Sequence, residues 1–219
     1  MALIPGSPGL QGLPGAAPAR IGIFGGAFDP PHNAHVALAR SALAQLNLDE
    51  LRILPTGQAW HKAHGLSAAE HRLAMAQLAF GDLPHTRIDD RETRRAGPSY
   101  TLDTLRELQD EQPQAQWMLL LGADQAKALP SWHGWQEILS RAIVCVAHRP
   151  DEADPDGRFD PALLPGLPAA ARFASIDLPP TDLSATEIRA RAARGEVLNG
   201  LVPPAVARYI DLHHLYPNT

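Results

Sequence analysis

A chain of 219 residues with 45% hydrophobic side chains can bury the core of one ordinary to large domain. Its net charge of −5 excludes a global positive field for nucleic acid or anionic membranes, so any polyanion has to be gripped locally. The lone cysteine, Cys145, excludes a disulfide within the chain and lies in an apolar run where a packed thiol is expected. No apolar run approaches the roughly 20 residues of a membrane span, and the N-terminus has no basic region followed by a long apolar segment, so the expected address is cytoplasmic.

Residues 1–19 carry four prolines, four glycines and no charge, and read as a flexible N-terminal extension. Residues 20–219 read as one domain. Arg20 to Phe24 has the length and branched content of a buried strand; the pair Gly25-Gly26 and the turn Asp29-Pro30-Pro31 follow. His32 and His35 then open a helical stripe from Ala34 to Leu46, and Leu51 to Leu54 is a second strand ended by Pro55, which completes a βαβ unit. Thr56 to Leu66 is a loop holding Trp60, His61, Lys62 and His64, a mixture that suits ligand contact and an ordinary exposed loop equally.

Ser67 and Glu70 form a capping-box pattern for a helix reaching about Phe80. Arg72 falls near its first turn, where a positive charge opposes the dipole and favours a role with phosphate. His85 to Asp89 is a short strand, Arg91 to Arg95 a polar basic stretch, and Ala96 to Thr101 a turn into a helix from Leu102 to Asp110. Trp117 to Leu121 is a continuous apolar strand followed at once by Gly122-Ala123-Asp124, where open α/β sheets bind ligands; an ordinary turn with Asp124 as cap fits as well. Trp132 and Trp135 share one turn, with core packing the common explanation and ring stacking on a ligand the rarer one. Ile143 to Val146 and Phe173 to Ile176 are further strands, separated by a loop over residues 150–171 with room for a short helix. A second capping box, Ser184 with Glu187, begins a helix to Gly195, and a last helix runs from Pro203 to His213. Strands alternating with helices give a doubly wound parallel α/β sheet with a small C-terminal helical part.

The turn between the first strand and first helix is an anion site in outline. Glycine lets backbone N–H groups approach a ligand, the helix start supplies further donors and partial positive charge, and the histidines add side-chain donors. As metal ligands the two histidines lack a third partner, and no His-Glu-x-x-His pattern accompanies them. No Gly-x-x-x-x-Gly-Lys phosphate loop is present either, and the glycines lack the dinucleotide-binding order. The second helix start bears Ser184, Thr186 and Arg189, where capping and anion binding are compatible and Arg189 can close on a phosphate bidentately. Two such helix starts on one triphosphate would suffice for phosphoryl or nucleotidyl transfer.

Phe28-Asp29-Pro30-Pro31-His32-Asn33-Ala34-His35 resembles the first signature of the HxGH nucleotidyltransferases, and Leu183 to Arg189 resembles their second, Ile-Ser-Ser-Thr-x-Ile-Arg. Between them Gly97-Pro98-Ser99-Tyr100-Thr101, Gly122-Ala123-Asp124, Trp132 and Arg149-Pro150 are similar, in order, to the bacterial nicotinate-nucleotide adenylyltransferase family. The resemblance implies a Rossmann-like fold and transfer of the adenylyl group of ATP to nicotinate mononucleotide, with Mg on the phosphates and no protein nucleophile. By the same resemblance His32, His35 and Arg189 act catalytically. Gly25, Gly26, Phe28, Gly122, Asp124, Ser184 and Thr186 join them around ATP. His61, Lys62, Arg72, Tyr100, Thr101, Leu102, Trp132, His133 and Arg149 surround the pyridine nucleotide, with Trp132 stacked on its ring and backbone donors near Thr101, Leu102 and His133 receiving its carboxylate. Other acceptors, nicotinamide mononucleotide or pantetheine phosphate, stay open, as do a non-catalytic nucleotide-binding module and a homo-oligomer. Ala34 and Ala185 depart from the signatures, at positions where glycine and serine are expected.

Overall fold

The computed structural model describes residues 17–57, 66–148, 159–179 and 183–217. Its six strands are β1 (Arg20–Gly26), β2 (Glu50–Pro55), β3 (Thr86–Ile88), β4 (Gln116–Gly122), β5 (Ile143–His148) and β6 (Phe173–Asp177). All pair in parallel in the order β3-β2-β1-β4-β5-β6. The doubly wound expectation holds.

Alternation along each strand sorts the core into two layers. Within β4, Trp117, Leu119 and Leu121 enter one cluster, which also takes Leu102, Leu105 and Leu108 from α4 (Thr101–Glu111) and Trp135, Ile138 and Leu139 from α6 (Trp135–Arg141). Met118 and Leu120 enter the opposite cluster with Val36, Ala39 and Ala42 of α1 (Asn33–Gln45) and Ala76 and Phe80 of α2 (Ala69–Phe80). Cys145 is fully buried in that second layer, and burial pushes its thiol up to about 12, as a packed, unreactive cysteine requires.

The sheet opens where its winding reverses. β1 pairs with β4 only as far as Ile23 with Leu119; beyond that point Phe24, Gly25 and Gly26 stay with β2, while Leu120, Leu121 and Gly122 stay with β5. The two central strands therefore separate at their carboxyl ends, leaving the crevice in which sheets of this order receive ligands.

A third cluster lies outside the sheet. Met75 of α2, Ile188 of α7 (Ala185–Ala193), and Val206 and Ile210 of α8 (Pro204–Leu212) pack with Leu198 and Val202, forming the expected C-terminal helical part.

Several local expectations need correction. Helix α2 starts at Ala69 with Ala68 as N-cap, and no Ser67 capping box forms: the Ser67 N–H is directed to the Asp29 carboxylate at 2.9 Å, and its carbonyl accepts from Arg72. At α7 only half of the second box forms. Ser184 Oγ accepts from the Glu187 N–H, whereas the Glu187 carboxylate turns outward to Arg191. Asp124 lies in the first turn of the short α5 (Ala123–Lys127) and Gly122 is its N-cap, so Asp124 does not cap. The basic stretch folds into one turn, α3 (Arg91–Arg94). Helix α6 was not expected; it starts at Gly134, whose φ of 63° is in the left-handed region open to glycine. The loop before β6 does contain a short helical turn, at Pro161–Leu163.

Candidate active site

At the end of β1, Gly25 is exposed and Gly26 half-buried. A Cβ on Gly26 would come within 3.0 Å of the Phe28 ring, because Phe28 folds back beneath the glycine pair. Phe28 adopts a φ of 49°, a left-handed conformation costly for an aromatic residue, and is held there by edge-on contacts with Phe24 and Phe80 and with the His35 ring. Only 2% of it is exposed. Its ring is thus the floor of the turn, and only the backbone of Phe28 is left to meet a nucleotide.

The histidines follow from this floor. His32 is the N-cap of α1, and its N–H donates to His35 Nδ1 at 3.2 Å, while the two rings stack with centroids 3.7 Å apart. A backbone donor on Nδ1 places the proton of the neutral His35 ring on Nε2. Ala34, between them, is only 5% exposed, so its methyl is almost wholly covered by protein and displaces little where a ligand would lie.

Helix α7 meets this turn from the far end of the chain. Arg189 Nη1 donates to the Asp29 carbonyl at 2.8 Å and Nη2 to Thr186 Oγ1 at 3.3 Å. Ser184 and Thr186 are exposed at the helix start, with Arg189 half-buried behind them. His32, His35, Ser184, Thr186 and Arg189 are thereby gathered around one turn.

Arg72 is held by carbonyls of the protein. It is 2% exposed, and its guanidinium donates to the carbonyls of Ser67, Ala27, Thr56 and Gly57. Burial lowers its pKa, with the charge of Asp29 opposing that effect. It stitches the turn after β1 to the turn after β2.

The residues expected around the pyridine form a second group. Tyr100 is the N-cap of α4, so Thr101 and Leu102 stand in its first turn, where backbone amides have no intrahelical acceptor. The Leu102 side chain is buried beneath Gly134, where any Cβ would collide with it, and the Tyr100 and His133 rings lie 4.8 Å apart. The two tryptophans part company: Trp135 is core, while Trp132 is half-buried beside it. Gly122 and the exposed Asp124 stand at the end of β4. His61, Lys62 and Arg149 lie outside the described residues, as do Trp60 and His64.

Three contributors were given no role of their own in the sequence reading. Asp29 is 4% exposed and accepts from the Ser67 N–H and from Tyr216 OH at 2.7 Å; Asn33 donates from its backbone to Leu201 and from its side chain to Gly200. Burial, reinforced by the Asp29 charge, raises the Tyr216 pKa well above the usual phenol range. Nothing local in the sequence marks Tyr216, since its partner is far away in the chain.

A parallel sheet divided at its switch point, with Arg189 of α7 bonded to the turn after its first strand, is the arrangement of a nucleotidyl-transfer fold, and a cytidylyltransferase-like family model matches residues 23–191. Among curated proteins, one from Albidiferax ferrireducens named "Probable nicotinate-nucleotide adenylyltransferase" is 56% identical, covering 90% of this chain and 98% of its own. One of the same name from Methylibium petroleiphilum is 43% identical, covering 90% and 92%. Among solved structures, Plasmodium falciparum nicotinic acid mononucleotide adenylyltransferase complexed with NaAD superposes with a TM-score of 0.72 at 21% identity, over 90% of this chain and 97% of that one, a likeness of fold. The chain belongs to the cytidylyltransferase-like family, among its nicotinate-nucleotide adenylyltransferases.

Proposed function

We propose that the chain transfers the adenylyl group of ATP to nicotinate mononucleotide, releasing pyrophosphate and forming nicotinate adenine dinucleotide for NAD biosynthesis. The observation that carries this reading is the 2.8 Å bond from Arg189 to the Asp29 carbonyl, which draws the α7 start onto the histidine turn at the mouth of the sheet. The name shared by the relatives supports the acceptor.

The 5′-phosphate oxygen of the mononucleotide attacks the α-phosphorus of ATP in line, one P–O bond forms, and the bond to the β-phosphate bridging oxygen breaks. No protein atom enters the covalent path. Catalysis comes from positioning and from stabilising charge on the transferring phosphoryl group. His35, with Nε2 as donor, and His32 face the α-phosphate in this reading. Ser184, Thr186 and Arg189 hold the outer phosphates; Gly25, Gly26, Gly122 and Asp124 border the nucleotide. Tyr100, Thr101, Leu102, Trp132 and His133 receive the pyridine and its carboxylate, and His61, Lys62 and Arg149 approach phosphate.

Nucleotidyl transfer of this kind generally employs a divalent ion. Among the described residues no group of three or more His, Cys, Asp and Glu side chains is placed to hold one, and both Asp29 carboxylate oxygens already accept hydrogen bonds. In this reading magnesium enters with the substrate as Mg–ATP, ligated chiefly by phosphate oxygens and water.

Pyrophosphate release from ATP, measured with nicotinate mononucleotide, nicotinamide mononucleotide and pantetheine phosphate, tests the proposal. Preference for the first is expected. Binding of ATP with no release from any acceptor overturns the enzyme reading, and preference for another acceptor overturns the assignment of substrate.

A further inference from the structure

The Asp29 turn has a partner in the C-terminal segment. After α8 the chain makes two left-handed residues, His214 with φ 47° and Tyr216 with φ 62°, a conformation that non-glycine residues keep only when their surroundings enforce it. Leu215 and Tyr216 both pack on the cluster built from Met75, Ile188, Leu198, Val202, Val206 and Ile210. Ile188 precedes Arg189 and Met75 lies one helical turn after Arg72, so the segment is seated against both helices that send guanidinium groups to the turn. Its winding delivers the phenol to Asp29 Oδ1 at 2.7 Å, opposite the Ser67 N–H on Oδ2 at 2.9 Å.

We propose that Tyr216 is a positioning residue for ATP: by occupying the Asp29 carboxylate it keeps Arg189 on the neighbouring Asp29 carbonyl, with its guanidinium turned toward the phosphates. This inference rests on the proposed reading of the site. A carboxylate only 4% exposed that loses one of two donors seeks another; beside the Ser67 side chain, which hydrogen-bonds Tyr216, the cations at hand are Arg72, acting on Asp29, and Arg189, acting on Tyr216. Arg72 is fixed by four carbonyls. Arg189, held by the Asp29 carbonyl and, at 3.3 Å, by the Thr186 hydroxyl, is the group able to exchange a bond for the side chain of Asp29. Without the phenol, the arginine that should meet the anion of the ligand is captured by an anion of the protein.

The test is a double-mutant cycle of Tyr216→Phe and Arg189→Ala, with kcat and the KM of each substrate measured separately. Tyr216→Phe is expected to raise the KM for ATP roughly tenfold, the scale of one hydrogen bond to a charged group, with the KM for the mononucleotide unchanged. In the Arg189→Ala background the same substitution should have almost no effect on ATP, because the group it positions is gone. Additive effects, equal loss for both substrates, or unchanged ATP kinetics overturn the proposal; a purely structural tyrosine gives one of these. Near-UV circular dichroism checks that Tyr216→Phe is folded, and Tyr216→His, which retains a donor, should recover part of the loss. Calorimetric titration with a non-hydrolysable ATP analogue repeats the cycle on affinity. If the wild type transfers nothing yet binds the analogue, the calorimetric cycle still decides the role of Tyr216, while the proposed reaction alone fails.

Discussion

Helix α1 begins at the Asp29 turn and α7 reaches the same turn through Arg189, yet they are built into the molecule differently. The α1 start is part of the core: His32 is 5% exposed, its ring stacks on His35, and His35 in turn rests on Phe28 in a group of aromatic rings that reaches Phe24 and Phe80. The α7 start hangs on the surface, with Ser184 and Thr186 exposed, and is tied to the turn by the Arg189 guanidinium. One half is fixed by close packing around its own first turn; the other has its first turn open to solvent, on a helix that Ile188 anchors in the third cluster, and reaches the histidine turn through directional bonds that can be remade. Groups acting on the reacting phosphorus gain most from the first kind of support, and groups gripping phosphates that depart with the product gain from the second.

Substitutions should separate the two halves. The largest effect is expected from Phe28→Ala, which removes a fully buried ring beneath the α1 start and should cost about 3–5 kcal/mol of unfolding free energy in denaturant titrations. A loss below about 1 kcal/mol would show that the turn does not depend on its floor. His35→Ala should lower kcat roughly 10²-fold, the scale of one charge-stabilising donor, with the KM for ATP changed far less. Unchanged kcat would remove His35 from the chemistry. Arg189→Ala should raise the KM for ATP roughly tenfold while the melting temperature stays nearly constant, since the side chain is half-buried and belongs to the surface half. A large fall in melting temperature would show that the Arg189 bonds support the fold as close packing does and would erase the contrast. Ser184→Ala should have the smallest consequence, about 1 kcal/mol from loss of the cap to the Glu187 N–H, seen as faster amide exchange confined to the first turn of α7.

What the sequence made legible was local. The continuous apolar strands, the histidine helix start and the Ser184 cap each depend on neighbours within a few residues, and each appears where expected. Signals whose meaning depends on distant partners were misread or silent. Arg72 had the charge of a phosphate ligand, but its acceptors are carbonyls brought up from Ala27, Thr56 and Gly57 by the pairing of β1 with β2. The Ser67 capping box had the right residues, yet Asp29 attracts the serine N–H and the helix starts later. Phe28 sat inside a signature motif, and only its left-handed backbone shows that the ring points inward. Helix α6 was hidden because its start is set by Gly134, whose missing side chain makes room for Leu102 of another helix.

The bond from Arg189 to Asp29 spans 160 positions of the chain. Synthesis proceeds from the amino end, so a growing polypeptide displays the histidine turn long before the arginine that completes it has left the ribosome. Under the proposed reading, the chain has only one of the two helix starts that grip the triphosphate until α7 emerges and docks. A chain stalled before α7 would then hold ATP less well than one that includes it.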